Sequence, residues 1–368
     1  MKLLRSVIFV LFTFFFTINA QSLEANNQSI GNSRQTILTE TVSKVSESIV
    51  GITVTEVRKV QDPFFSPFFN DPFFRQFFGE RSTSREIRSL GSGFIISEDG
   101  YILTNDHVAG NATKVVVTLT NGKHIDAQIV GTDPISDICL LKIEEKNLPY
   151  LKLGNSDDIL IGEWVIALGN PFGLFEVNEQ PTVTVGVVSA KNMNLDPVEG
   201  RFYMNMIQTD ASINGGNSGG PLVNALGDVI GMNTIIYSTS GSGSIGLGFA
   251  IPVNKVKRII DELKKNKKID REFVTGLQVQ DIDDEIAKYF KLNSKRGVIV
   301  TRVFANTPAG EAGLLSGDVI LRINNYRISN QNSLLGVLQE FRTNDEINLT
   351  ILREDKELTL PMKLKRKK

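Results

Sequence analysis

The segment Asn214-Gly215-Gly216-Asn217-Ser218-Gly219-Gly220-Pro221-Leu222 sets one serine among glycines, directly ahead of the apolar run Pro221-Leu222-Val223. Glycine tolerates positive φ, so such a turn can aim several N–H groups at one point. The amides of Gly216 and Ser218 would then face the negative charge that develops when the Ser218 hydroxyl attacks a carbonyl. The same residues also make an ordinary Gly/Ser turn, so the chemistry depends on partners elsewhere in the chain. A nucleophilic serine needs a base, and the sequence has two histidines. His107 follows the short apolar run Tyr101 to Leu103, within Thr104-Asn105-Asp106-His107-Val108-Ala109. His124 comes just after the hairpin signal Asn121-Gly122 and reads as a surface strand residue beside that turn. An imidazole base needs a carboxylate to fix its tautomer and stabilise the imidazolium. Asp137 stands at the mouth of the leucine-rich and β-branched run Ile138 to Ile143. Alone, an aspartate there reads as a turn or cap residue.

His107, Asp137 and Ser218 follow one another in the chymotrypsin order. Thr104-Asn105-Asp106-His107-Val108, Ser136-Asp137-Ile138-Cys139-Leu140-Leu141-Lys142 and Gly216-Asn217-Ser218-Gly219-Gly220-Pro221-Leu222 resemble the three catalytic segments of the HtrA/Deg serine proteases. Further matching segments are Gly169-Asn170-Pro171-Phe172-Gly173, Ile207-Gln208-Thr209-Asp210-Ala211 and Gly246-Leu247-Gly248-Phe249-Ala250-Ile251-Pro252. The resemblance runs from about Ile37 to the C-terminus. It implies a mainly β protein, with a chymotrypsin-like double β-barrel protease domain followed by one α+β PDZ domain. It also implies peptide-bond hydrolysis, with Ser218 as nucleophile, His107 as base, Asp137 as its orienting acid, and the Gly216 and Ser218 amides as oxyanion hole.

The elements needed to hold these groups are visible as short strand signals between Gly91 and Pro252. They include Gly93 to Ile96, Val115 to Leu119, Ile138 to Ile143, Trp164 to Leu168, Val183 to Val188 and Val229 to Ile236. Such spacing suggests a sandwich or a barrel, and the resemblance resolves it to two six-stranded barrels with the active site between them. Ile37 to Ile52 reads as a helix running into a strand. Val256, Ile259, Ile260 and Leu263 recur at helical spacing, so Asn254 to Lys267 is a closing helix. Residues 37–268 are assigned to the protease domain.

Residues 271–368 contain Arg296 to Val300, Ala305 to Leu314 and Gly317 to Asn324, which resemble a PDZ domain of the HtrA type. Such modules add an extended C-terminal peptide to a sheet edge and hold its carboxylate in a backbone nest. The matching loop is Val274-Thr275-Gly276-Leu277, with Thr275 where the family more often has an apolar residue. A packing module that only sets oligomer geometry is the alternative. The basic run Lys363 to Lys368 reads as a solvated terminus.

Residues 1–20 carry Lys2 and Arg5, an apolar run from Val7 to Phe16, and Ala20 before a plausible cleavage point, the pattern of an export signal. Residues 21–36 read as a flexible lead-in. Export places the protein in the periplasm or cell envelope, and an uncleaved signal would anchor it to a membrane facing the periplasm. Residues 61–85 hold eight phenylalanines in four pairs among prolines and charges. A collapsed loop is one reading. The resemblance implies instead a regulatory loop reaching a neighbouring subunit of a homotrimer.

A net charge of −1 gives no reason to expect nucleic acid as a partner. Two histidines and one cysteine without clustering leave no evident zinc site, and no metal or organic cofactor is called for. Strand alternation puts Cys139 on the same face as Asp137, as a buried thiol. Gly241-Ser242-Gly243-Ser244-Ile245-Gly246 fits G-x-G-x-x-G, but glycine and proline soon after it discourage the helix a dinucleotide site requires. Ile213 and Leu247 are apolar and suit a modest primary pocket, which in the family accepts small aliphatic residues. The expected function is an exported serine endoprotease for misfolded or damaged proteins, with C-terminal peptides as PDZ ligands. The alternatives are a regulatory protease cutting one membrane-bound partner, and a chaperone or PDZ scaffold with secondary proteolysis.

Overall fold

The computed structural model describes residues 34–58, 85–236, 244–292 and 294–367. The export segment, the phenylalanine pairs and Gly241 to Gly243 lie outside these residues. α1 (Ile37–Val45) opens with a capping box, in which Thr36 and Thr39 each accept the other's backbone amide through Oγ1. A 3₁₀ turn over Ser46–Ser48 then leads into the first barrel.

That barrel comprises β1 (Ile49–Arg58), β2 (Arg85–Ile95), β3 (Tyr101–Thr104), β4 (Lys114–Thr118), β5 (His124–Asp133) and β6 (Ile138–Ile143), with α2 (Asp106–Ala109) between β3 and β4. It closes in the order β1-β2-β3-β6-β5-β4. The second comprises β7 (Trp164–Gly169), β8 (Thr182–Met193), β9 (Met206–Thr209), β10 (Pro221–Asn224), β11 (Val229–Ile236) and β12 (Gly248–Pro252), closing as β10-β11-β12-β9-β8-β7.

Period-two alternation explains why strands such as β6 and β7 read as almost continuous apolar runs. In β6, Cys139, Leu141 and Ile143 fill the first barrel, while Ile138 and Leu140 point into a core shared by both barrels. In β7, Val165 and Ala167 fill the second barrel, while Ile166 and Leu168 join that shared core. Both faces of these strands are therefore dry. α3 (Val253–Asn266) lays Val256, Ile259, Ile260 and Leu263 on the shared core and ends at Lys267, which takes a left-handed backbone. The seam between barrels is thus a rigid platform.

Asp137 departs from the expected alternation. The β5–β6 ladder ends at Asp133 and Ile138, and Asp137 lies just outside it with φ 60°. Its side chain therefore leaves the face that Cys139 occupies.

The C-terminal domain comprises β13 (Phe273–Val274), β14 (Leu277–Asp281), α4 (Asp284–Tyr289), β15 (Val298–Val303), α5 (Pro308–Glu311), β16 (Val319–Ile323), β17 (Tyr326–Arg327), α6 (Gln331–Leu338), β18 (Glu346–Arg353), β19 (Lys356–Lys363) and β20 (Lys365–Arg366). Its main sheet runs β14-β15-β16-β18-β19 over a core that includes Val300, Ile320, Val337 and Leu349 and also takes in Met204 from the β8–β9 connection. The basic side chains of Lys363, Lys365, Arg366 and Lys367 are exposed, as expected of a solvated terminus, but the backbone of Lys363, Lys365 and Arg366 is built into strands. Lys363 closes β19, Leu364 is buried, and β20 pairs antiparallel with β13. Lys365 pairs with Glu311, and Arg366 pairs with Asp270 and Glu272. A run of basic residues disguised a strand that is itself exposed.

Candidate active site

Asn105, the residue before α2, is buried, and its Nδ2 donates to the Asp137 carbonyl at 3.0 Å. This bond ties the α2 turn to the turn before β6 and brings His107 over Asp137. His107 Nδ1 lies 2.8 Å from Asp137 Oδ2 and 2.9 Å from Oδ1. The His107 amide also donates to Oδ1 at 3.0 Å. Two hydroxyls complete the set: Thr234 Oγ1 donates to Oδ2 at 2.6 Å and the Tyr203 hydroxyl does so at 3.3 Å. The carboxylate is fully buried. Burial alone would raise its pKa, but the His107 charge and the bonds from His107 and Thr234 outweigh burial and hold it below the usual carboxylate range. Asp137 therefore stays ionised and fixes the imidazole by its Nδ1 edge.

Ser218 sits in the turn before β10. Its Oγ donates to the Thr234 carbonyl at 3.1 Å, so Thr234 touches both Ser218 and Asp137. Thr234 has no partner in the β11–β12 ladder, where the register shifts between Asn233 and Ile235. This bulge turns its hydroxyl toward the site. The turn around Ser218 is anchored from the first barrel by Ser92 of β2. The Ser92 amide donates to the Ser218 carbonyl at 3.1 Å, and Ser92 Oγ donates to the Gly216 carbonyl.

Gly216 has φ 105°, and a Cβ there would stand 2.5 Å from Pro171 Cα. Only glycine fits this position. Asn217 and Gly220 donate within the turn, whereas among the described residues the Gly216 and Ser218 amides make no bond to a backbone carbonyl. They remain available for an incoming anion.

Of the expected pocket residues, Ile213 is buried in the core of the second barrel and Leu247 is 36% exposed. Ile213 packs against Gly248, the residue after Leu247, where a Cβ would stand 2.6 Å from Ile213 Cγ1. His124 is an exposed residue at the start of β5 and contacts Thr118 Oγ1 at 3.0 Å, apart from this cluster. Cys139 is buried, and burial pushes its thiol pKa strongly upward. It is no nucleophile. Sequence reasoning missed Asp106, Arg201, Tyr203 and Thr234 as neighbours of the reacting groups. Asp106 stood inside a quoted segment without a role, and the other three carry no local signal.

Comparison with known proteins supplies the wider frame. Residues 91–232 match the trypsin-like peptidase domain, and residues 274–364 match the PDZ domain. The chain is 45% identical over 309 residues to a probable periplasmic serine endoprotease DegP-like of Chlamydia muridarum, covering 82% of this chain and 60% of that protein. A Marinomonas protein of the same name is 38% identical over 335 residues, covering 90% of this chain and 67% of its own length. The solved structure of the HtrA-type protease AlgW with a decapeptide superposes with a TM-score of 0.66 at 35% identity, covering 91% of this chain and 99% of that one. The chain belongs to the HtrA-type protease family. It spans about 60% of the length of the first curated relatives it matches.

In this HtrA-type chain Val274, Thr275 and Gly276 of the expected peptide loop, but not Leu277, border a cavity of about 490 Å³ also lined by Arg271, Phe304 and Leu338. Gly276 has φ 77°, and Thr307 occupies the place a Cβ would need. The Thr275 and Gly276 carbonyls accept from Ala309 and Phe304, each at 2.9 Å, which directs that backbone inward. Arg271 at the cavity's rim reaches back to the first barrel. It binds Asp133 through two bonds of 2.7 and 2.8 Å and donates to Ser136 Oγ at 3.2 Å. A larger cavity of about 970 Å³ lies between β8, α3 and β17, and neither Ser218 nor His107 lines it.

Proposed function

We propose that this chain is a serine endoprotease in which His107, Asp137 and Ser218 form the catalytic triad. The observation that carries the reading is the double contact of Thr234, which holds the buried carboxylate and the alcohol at one site while His107 caps that carboxylate. In the reaction Ser218 Oγ leaves the Thr234 carbonyl and attacks the scissile carbonyl carbon. His107 Nε2 takes the hydroxyl proton and later delivers it to the leaving amine. Asp137 remains ionised and holds the Nδ1–H tautomer. The acyl-enzyme is then hydrolysed by water activated by the same imidazole. The Gly216 and Ser218 amides hold the oxyanion, and loss of one such donor costs about 10²–10³ in kcat. Ile213 and Leu247 border the primary pocket.

The test is hydrolysis of casein by the wild type beside Ser218→Ala and His107→Ala. Either substitution is expected to remove nearly all activity, leaving only a small residue from oxyanion stabilisation and binding. Equal rates in all three proteins would sink the reading.

We assign residues 37–268 to the protease domain and 271–368 to a PDZ domain whose Val274 to Leu277 loop takes the carboxylate of C-terminal peptides. The substrates are unfolded or misfolded proteins, and the working compartment is the periplasm, as in the names of the curated relatives. A homotrimer is the proposed assembly, and a monomeric mass in sedimentation equilibrium would refute it. Among the described residues no helix is long and apolar enough to cross a membrane.

A further inference from the structure

Asp106, the residue before His107 in sequence, brings a second buried carboxylate near Asp137, and the proposed triad has no use for it. It is 3% exposed and accepts from Thr132 Oγ1. Burial pushes its pKa up, the Thr132 bond opposes this, the nearby Asp137 charge adds to it, and Arg201 opposes it. Two buried carboxylates that share one guanidinium repel each other, and uncompensated negative charge near an imidazole base favours the protonated form of such a ring.

Arg201 supplies the counter-charge. It lies in the β8–β9 connection, at the end of a tight turn over Val198–Arg201 in which Val198 and Arg201 exchange backbone bonds of 3.1 and 2.9 Å. Glu199 and Gly200 at its tip both have positive φ, the geometry of a two-residue hairpin turn. From there the side chain runs inward and is 15% exposed. One terminal nitrogen donates to Asp106 Oδ2 at 3.2 Å, and the other donates to Glu199 Oε2 at 3.3 Å. Nε lies 3.4 Å from Asp137 Oδ1, buried and without a hydrogen bond among the described residues. Toward Asp137 the guanidinium therefore acts by its charge.

We infer that Arg201 is a positioning residue for the His107–Asp137 pair, its charge offsetting Asp106 so that the buried cluster around Asp137 carries one net negative charge. This rests on the proposed triad. The other groups around the pair leave that balance unchanged. Burial pushes the Cys139 thiol and the Tyr203 phenol well above their ordinary pKa values, so both are neutral at neutral pH. Asp133 on β5 is already matched by Arg271, Thr132 and Thr234 are uncharged, and Glu199 is 40% exposed and screened by solvent.

The test is the pH profile of kcat/KM for casein hydrolysis by the full chain, with folding of each variant checked by circular dichroism. Arg201→Gln should move the acid limb to higher pH, on the order of one unit, and lower kcat/KM near pH 6 about tenfold. Asp106→Asn should move the limb the opposite way. The double variant Asp106→Asn/Arg201→Gln should return it toward the wild-type position, and Arg201→Lys should hold it there. A uniform loss at every pH, an unmoved limb, or a double variant displaced further than Arg201→Gln would overturn the inference. If Arg201→Gln does not fold, the direction of the Asp106→Asn shift decides. Full activity in His107→Ala would instead overturn the triad.

Discussion

At the scale of single residues, Asp137 depends on hydroxyl donors that do no chemistry as well as on His107. Its four donors come from the imidazole and amide of His107 and from the hydroxyls of Thr234 and Tyr203, on parts of the chain far apart in sequence. Thr234→Val keeps the volume and the carbonyl that receives Ser218 but deletes the 2.6 Å bond to the carboxylate. A hydrogen bond to a charged group is worth about 1.5–3 kcal/mol, so kcat/KM should fall roughly 10- to 100-fold. Steady-state kinetics at pH 7.5 check this, and an unchanged value would show that Thr234 does not hold Asp137. The residues of the proposed triad stand in segments framed by glycines and apolar runs, on which the family resemblance rests. Thr234 was not, since nothing in Val229 to Ile236 marks the residue that a bulge will turn inward. Arg201 was equally silent, because its partner Asp106 lies on the other barrel and no local pattern joins them.

At the scale of elements, legibility followed burial. The bounds of β6 and β11 could be read directly because each is a mostly apolar run between turns. β13 and β20 escaped notice, since two-residue strands, one apolar and one basic, are too short to show a periodicity. Turns that demand glycine were readable as glycine, though not for their reason. At Gly276 the reason is both the positive φ and the presence of Thr307 where a side chain would go. Gly276→Ala should therefore strain the loop by about 1–3 kcal/mol and displace the backbone that would receive a carboxylate. A fluorescently labelled peptide with a free C-terminus should bind at least tenfold more weakly to this variant in a polarisation titration. Unaltered affinity would move the peptide site elsewhere.

At the scale of the whole molecule, the two domains are joined by buried charge as well as by chain. Arg271 and Asp133 are 9% and 3% exposed, Arg342 reaches Glu262 of α3 at 2.8 Å, and Lys255 pairs with Glu340. Sequence analysis found both domains but not this seam, because ion pairs across domains have no sequence period. Burial would raise the Asp133 pKa, yet the Arg271 bonds and charge prevail and leave it below its ordinary value. An acid with a depressed folded pKa contributes stability that is complete above about pH 4 and lost as pH falls through the folded value. Arg271→Met leaves that carboxylate buried without its partner, which should cost about 3–5 kcal/mol and lower the melting temperature at pH 7. Calorimetry from pH 7 to pH 3 should show the wild type losing this advantage at the acid end, and parallel curves for the two proteins would refute the assignment.

The pairing of β20 with β13 also has a mechanical consequence. Because these strands are antiparallel, with Phe273 opposite Arg366, both ends of the domain leave from the same side of the pair. A force pulling those ends apart would peel the bonds one at a time instead of loading them together, so under tension the domain would open at this clasp before its core gave way.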